Sequence, residues 1–215
     1  MIIFEFERVL FDSALIKDDI KKVFEKYEIQ GQEFWKSFYR SYDLNRKEPG
    51  TYSIDRHLGL LKGLSKNQKE EIKRDIEIVM LNRGRGYLYP DVIEFLSQLK
   101  KKKIKMVLLT QGNASFQKLK IKATGVEEYF DQVIIFNGSL APVLKRLVSP
   151  KTKGTIIYVG KKIPFLKNIK TKYPSIAIFF IRREGQPTPQ DLAAGSIISL
   201  NELSWCFRTL SAEKD

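Results

Sequence analysis

Glu5 and Glu7 are acidic side chains set into an otherwise apolar opening, Met1-Ile-Ile-Phe-Glu-Phe-Glu-Arg-Val-Leu-Phe-Asp12-Ser13. Read as a buried strand, this stretch sends residues two apart to one face, so both carboxylates emerge together at its carboxyl end. Two close acids at the end of an apolar strand suit three tasks: holding a metal, handling phosphate, or pairing with a cation. A second polar group is Thr110-Gln111-Gly112-Asn113, which follows the apolar run Ile104 to Leu109. There a hydroxyl precedes a turn and a helix whose first N–H groups suit an anion. Thr110 as a simple cap of that helix is the plainer alternative. The third is Lys161, directly after Thr155-Ile-Ile-Tyr-Val159-Gly160. A lysine beside the two glutamates would take a cation's place and pair with them.

These residues need a scaffold, and the hydrophobic pattern supplies one. Residues 15–83 read as helical, with helices over Asp18–Tyr27, Gln32–Tyr42, Ile54–Leu61 and Ser65 to about Leu81. Pro49-Gly50 breaks the pattern between the second and third. The aromatic stripe Phe34, Trp35, Phe38, Tyr39 and Tyr42 reads as core between helices. From Gly84 onward apolar strands alternate with helices. Strands are expected at 104–109, 132–136, 155–159, 175–181 and 196–200, with helices at 92–100, 114–123, 141–148, 163–173 and 201–210. This alternation implies an α/β fold, a Rossmann-like parallel sheet with helices on both faces. Residues 1–14 and 84–215 form its core domain, and residues 15–83 an inserted helical cap domain. Such sheets bind ligands beyond the carboxyl ends of their strands.

Composition bounds the chemistry. The 215 residues contain one cysteine, Cys206, and one histidine, His57, which excludes an internal disulfide, a multi-cysteine metal site and a histidine-based zinc site or triad. His57 reads as a surface or cap-packing residue, and Cys206 as a small buried hydrophobe. The apolar start is interrupted by charges and is not a signal peptide, and no run approaches a membrane span, so a cytoplasmic protein is expected. The formal net charge is +13. Residues 84–215 carry 22 bases against 10 acids, and residues 100–172 carry 17 against three. Such a surface attracts phosphates, nucleic acid or acidic protein segments, or serves solubility.

Taken in order, four segments resemble the haloacid dehalogenase (HAD)-like superfamily, in its phosphatase-type form with an inserted helical cap. Phe4–Ser13 is similar to its first motif, Asp-x-Asp-Gly-(Thr/Val)-Leu. Tyr89-Pro-Asp-Val92 resembles the segment by which the chain re-enters the core. Leu108-Leu-Thr110-Gln-Gly-Asn113 is similar to the second motif, and Ile156-Ile-Tyr-Val-Gly160 to the strand before the fourth. The resemblance implies a covalent nucleophile at the Glu5 position and a general acid/base at the Glu7 position. It also implies phosphoryl-oxygen contacts from Thr110 and a third-motif lysine, and magnesium held by aspartates after the fourth strand.

Against that pattern this chain departs at several slots. Glu5 and Glu7 stand for both aspartates and Arg8 for the glycine. Leu140 stands for the lysine, with Lys145 one helical turn further on as a substitute. Lys161 and Phe165 stand for the metal aspartates. The extra methylene of Glu shifts a nucleophilic oxygen by about 1 Å, enough to spoil in-line attack, and an ammonium supplies no ligand to Mg²⁺. The expectation is a catalytically inactive pseudo-phosphatase without cofactor. It would bind a phosphate-containing small molecule or an anionic macromolecule through Thr110, Gln111, Gly112, Asn113 and Lys161. One alternative is an active hydrolase with an altered site, using Glu7 as acid/base and Lys161 to hold phosphate, with Mg²⁺ only in that case. The other is a basic module for nucleic acid or acidic protein, although no nucleic-acid motif is present.

Overall fold

Six short strands with almost no polar residues can be buried on both faces only in a parallel sheet covered by helices. A computed structural model, which describes residues 1–43, 51–148, 154–183 and 195–205, has that architecture. The strands are β1 (Ile2–Glu5), β2 (Met106–Gln111), β3 (Gln132–Phe136), β4 (Ile157–Gly160), β5 (Ala177–Ile181) and β6 (Gly195–Ile197). They run parallel in the order β3-β2-β1-β4-β5-β6. The chain leaves β1 to build one half of the sheet, then returns to β1's other side for the second half. Crossovers therefore diverge beyond the carboxyl ends of β1 and β4, where doubly wound sheets open a crevice.

Alternation along the strands splits the core in two. Ile2 and Phe4 of β1 join Leu108 and Val159 on one face. Ile3 joins Val107, Leu109 and Tyr158 on the other, against Leu144, Leu166 and Ile169 of the helices. Those helices are α7 (Ala141–Leu147) and α8 (Ile163–Lys172); α5 (Val92–Lys101) and α6 (Ala114–Thr124) complete the main body. β2 includes Thr110 and Gln111, which the sequence pattern assigns to a turn. Backbone pairing to β3 extends the strand, with Thr110 opposite Ile135 and Gln111 opposite Phe136. After β6 the described residues form a 3-10 turn, Leu200–Trp205, instead of the expected α-helix; residues 206–210, with Cys206, and the Pro49-Gly50 break lie outside the described residues.

Between β1 and β2 come α1 (Ser13–Glu25), α2 (Gly31–Asp43), α3 (Ile54–Leu60) and α4 (Lys66–Arg83). The first starts five residues before its hydrophobic periodicity suggests, because the Asp12 side chain accepts from the Ala14 N–H at 2.8 Å and caps it. The last opens on a capping box between Ser65 and Gln68. Asp19 on α1 accepts from the Tyr87 hydroxyl at 2.7 Å and from Arg83 at 2.8 Å, tying the start of this helical segment to its end. No helix among the described residues is long and apolar enough to cross a membrane.

His57 lies at the centre of the aromatic stripe, fully buried and not at the surface. Its ring stacks on Phe24 at 4.6 Å and meets Phe34 and Phe38 at 5.1 and 5.8 Å. The Ser37 hydroxyl donates to a backbone carbonyl of its own helix, so it accepts from His57 Nε2–H at 2.8 Å. Nδ1 then accepts from the Tyr52 hydroxyl at 3.0 Å. Burial lowers the imidazole pKa to about 4. The folded state thus favours the neutral ring, and this stability is present above the unfolded value of 6.5 and lost as pH falls toward 4. Urea unfolding at pH 7 and pH 4.5 should show a loss of about 2–3 kcal/mol from this group. The loss should be missing from the same comparison in His57→Leu.

Candidate functional site

β1 ends at Glu5, and the backbone then turns sharply: the Phe11 and Leu10 N–H groups donate to the Phe6 carbonyl at 3.0 and 3.1 Å. Arg8 sits in this turn with φ of 61°, a left-handed conformation that costs a non-glycine residue about 1 kcal/mol. Because the strand stops before Glu7, the period-two argument fails for that residue. The two glutamates line one cavity but turn to different partners.

Glu5 shares the face of Ile3 and points toward β4. Its Oε1 accepts from the Tyr158 hydroxyl at 2.9 Å and its Oε2 from the Lys161 N–H at 3.0 Å. Gly160 makes room, since a Cβ there would lie 2.8 Å from Glu5 Oε1. Burial pushes the Glu5 pKa up, and the Lys161 N–H, the Tyr158 hydroxyl and the Lys162 charge offset that only in part.

Glu7 turns to α6. Its Oε1 meets the Lys120 ammonium at 2.6 Å, and its Oε2 accepts from the Ser13 hydroxyl. Burial, the largest influence on Glu7, raises its pKa; the Lys120 charge and hydrogen bond, with those from Ser13 and Gln117, outweigh it and leave the net shift downward. The Lys120 ammonium also lies 4.3 Å from the Phe116 ring centre and 5.3 Å from that of Phe11, contacts that stabilise a cation away from water. Sequence reading missed Lys120. Its signal was the spacing of Gln117, Lys120 and Thr124 along α6, which puts three polar residues on one helical face; all three are buried.

Glu5 is contacted by the Lys161 backbone N–H, and the ammonium bound to Glu7 belongs to Lys120. Extended backbone at the end of β4 aims that N–H across the sheet, whereas α6 brings Lys120 in from above. The Thr110 hydroxyl lines the same cavity, is 2% exposed, and is without a hydrogen-bond partner among the described residues. It does not cap α6: Asn113 does, accepting from the Phe116 N–H at 3.1 Å, which commits that side chain to structure. Gln111 donates to the Gly138 carbonyl at 3.0 Å and accepts from the Lys162 ammonium at 3.3 Å. Gly112 must be small, because a Cβ would lie 2.6 Å from Gln117 Nε2. Leu140 and Phe165 line the cavity, whereas Lys145 is exposed on α7 and is not part of its lining.

A wider cleft of about 200 Å³ opens beside this cavity, between the sheet edge and the helical segment. Glu7, Lys17, Tyr42, Tyr52, Lys120 and Lys162 are among its walls. The lysine run 100–103 lies elsewhere, exposed at the end of α5 and before β2, at the opposite edge of the sheet.

A family model described as haloacid dehalogenase-like hydrolase matches residues 4–151. No curated protein matches the sequence significantly. Solved structures share the fold. A haloacid dehalogenase-like protein of Burkholderia xenovorans LB400 superposes with a TM-score of 0.69 at 15% identity, covering 94% of this chain and 93% of the other. A HAD phosphatase from Thermococcus onnurineus gives 0.60 at 22% identity, covering 96% of each chain. A haloacid dehalogenase-like family hydrolase from Xanthomonas campestris gives 0.58 at 13%, covering 99% and 91%.

The Glu7–Lys120 pair generates a stability test. Lys120→Met leaves Glu7 without its counter-ion and should destabilise the protein by about 2 kcal/mol, below the range for fully buried pairs because Glu7 keeps some exposure. Adding Glu7→Gln should recover much of the loss in urea unfolding. The wild-type contribution should be present above pH 4.5 and fade below it, as expected for a carboxylate with lowered pKa.

Proposed function

The chain belongs to the haloacid dehalogenase-like hydrolase family, and on that premise we propose that it is a member without phosphoryl-transfer activity that works by binding a phosphate-containing ligand. The observation that carries this reading is Glu5, whose two oxygens are both engaged within the chain, by Tyr158 and by the Lys161 N–H. A nucleophile must present a lone pair in line with phosphorus. Each oxygen keeps a second lone pair, but the two hydrogen bonds fix the orientation of this half-buried carboxylate, and turning it toward phosphorus would break one, at a cost of roughly 1.5–3 kcal/mol before reaction begins.

The donor set does not fit Mg²⁺. The ion requires oxygens at about 2.1 Å in octahedral array. The slots that resemblance assigns to its aspartates hold Lys161 and Phe165. Among the described residues no three or more His, Cys, Asp or Glu side chains group so as to hold a metal. Glu7 is also poorly suited as a general acid, since Lys120 favours its ionised form. This argues against the active alternative.

Phosphate binding rests on what remains. The Thr110 hydroxyl is buried at the end of β2 and has no hydrogen-bond partner among the described residues. The Lys162 ammonium lies beside Gln111, and the amino end of α6 begins just past Gly112, where a helix favours an anion. Thr110 supplies a donor, Lys162 a charge, and the apolar walls exclude water.

Hydrolysis of p-nitrophenyl phosphate should stay at background with or without Mg²⁺ and should not change in Glu5→Ala. Mg²⁺-dependent turnover abolished by Glu5→Ala would overturn the inactive reading. Inorganic phosphate should raise the unfolding midpoint of the wild type, and Thr110→Val should reduce that shift severalfold.

A further inference from the structure

Two of the substituted family positions do more than remove chemistry. Leu140 and Phe165 stand where resemblance places a lysine and a metal aspartate, and they line two cavities at once. The first, about 40 Å³, covers the ends of β1 and β2 with Glu5, Thr110, Gln111 and Lys162 around it. The second, about 100 Å³, lies between α7 and α8 and is walled by Ala141, Leu144, Ile169 and Tyr173. Leu140 and Phe165 are therefore the wall the two spaces share.

A space of roughly 10–15 Å³ holds one water molecule, so the second cavity accommodates several heavy atoms. Its inner lining gives water few partners, because Leu144 and Ile169 are buried and apolar. Its polar residues, Ser139, Asn168 and Lys172, are exposed ones. At the shared wall a cation and an apolar surface lie side by side: the Lys162 ammonium is 5.0 Å from the Phe165 ring centre and 3.3 Å from Gln111 Oε1. The Thr110 hydroxyl, buried and without a hydrogen-bond partner among the described residues, lines the first cavity. An anionic head next to an apolar body matches this sequence of surfaces. A lysine at 140 and an aspartate at 165 would make the same route costly for an apolar group.

We propose that the site takes a phosphate monoester bearing a small apolar substituent, with the phosphate at Thr110 and Lys162 and the apolar part between α7 and α8, past Leu140 and Phe165. This rests on the phosphate-binding reading above and adds the nature and direction of the rest of the ligand. The apolar part runs along the face of the sheet that carries Ile3 and Tyr158, away from the cleft under the helical segment.

Calorimetric titration of the full chain with inorganic phosphate, ethyl phosphate and butyl phosphate tests it. Affinity should rise about fourfold per methylene from ethyl to butyl, the equivalent of burying each in an apolar space. Ala141→Trp, which fills the second cavity from a half-buried position, should abolish that rise and leave inorganic phosphate binding unchanged. Phe165→Ala, which removes an apolar wall along the route, should flatten the rise; this variant removes volume and serves if the tryptophan disturbs folding. Inorganic phosphate binding with no chain-length dependence, or a dependence that survives Ala141→Trp in a folded protein, would overturn this inference alone. No binding of any of the three would overturn the phosphate reading beneath it as well.

Discussion

Two carboxylates at the end of the central strand must each be stabilised away from bulk water, and much of the local structure follows from that requirement. A buried carboxylate without partners is worth several kcal/mol of destabilisation. Glu5 meets the demand with neutral donors from β4 and by lying against Gly160. Glu7 meets it with a buried ammonium from α6 and a hydroxyl from the start of α1. The two solutions differ, and so do the directions of the two pKa shifts: up for Glu5, where burial dominates, and down for Glu7, where burial is again the largest single influence but Lys120, Ser13 and Gln117 together outweigh it.

These solutions draw on elements far apart in the chain. Tyr158 and Lys120 are separated from their glutamates by more than 110 residues. Adjacent parallel strands bring β4 beside β1, and the crossover after β2 sets α6 above the strand ends. The pair Glu7–Lys120 also couples the start of the helical segment to the sheet, because Ser13 is both the first residue of α1 and a donor to Glu7. A perturbation at the site is thereby a perturbation of where α1 begins.

The same economy applies in the helical segment. His57 is held neutral by an aromatic shell that leaves its two nitrogens one partner each. Its role is packing with satisfied polar atoms, not proton transfer. On the buried face of α6 the polar atom is met differently: the Lys120 ammonium faces a carboxylate and two aromatic rings.

Much of the fold was legible from periodicity alone. The β1, β2 and β4 runs are apolar because both their faces are covered, and Ser65 with Gln68 announces α4 by local hydrogen bonding. Local signals misplaced what depends on neighbours. β2 extends through Thr110 and Gln111 only because β3 pairs with them, and β1 stops before Glu7 because the chain turns back onto Phe6. The site shows the same division. The residue types Glu5, Glu7, Thr110, Leu140, Lys161 and Phe165, and the strands after which they fall in the chain, were determined by the sequence. Which lysine met which glutamate was decided by tertiary structure, because a side-chain partner is chosen by distance in space, and Lys120 reaches Glu7 only once α6 is laid across the end of the sheet.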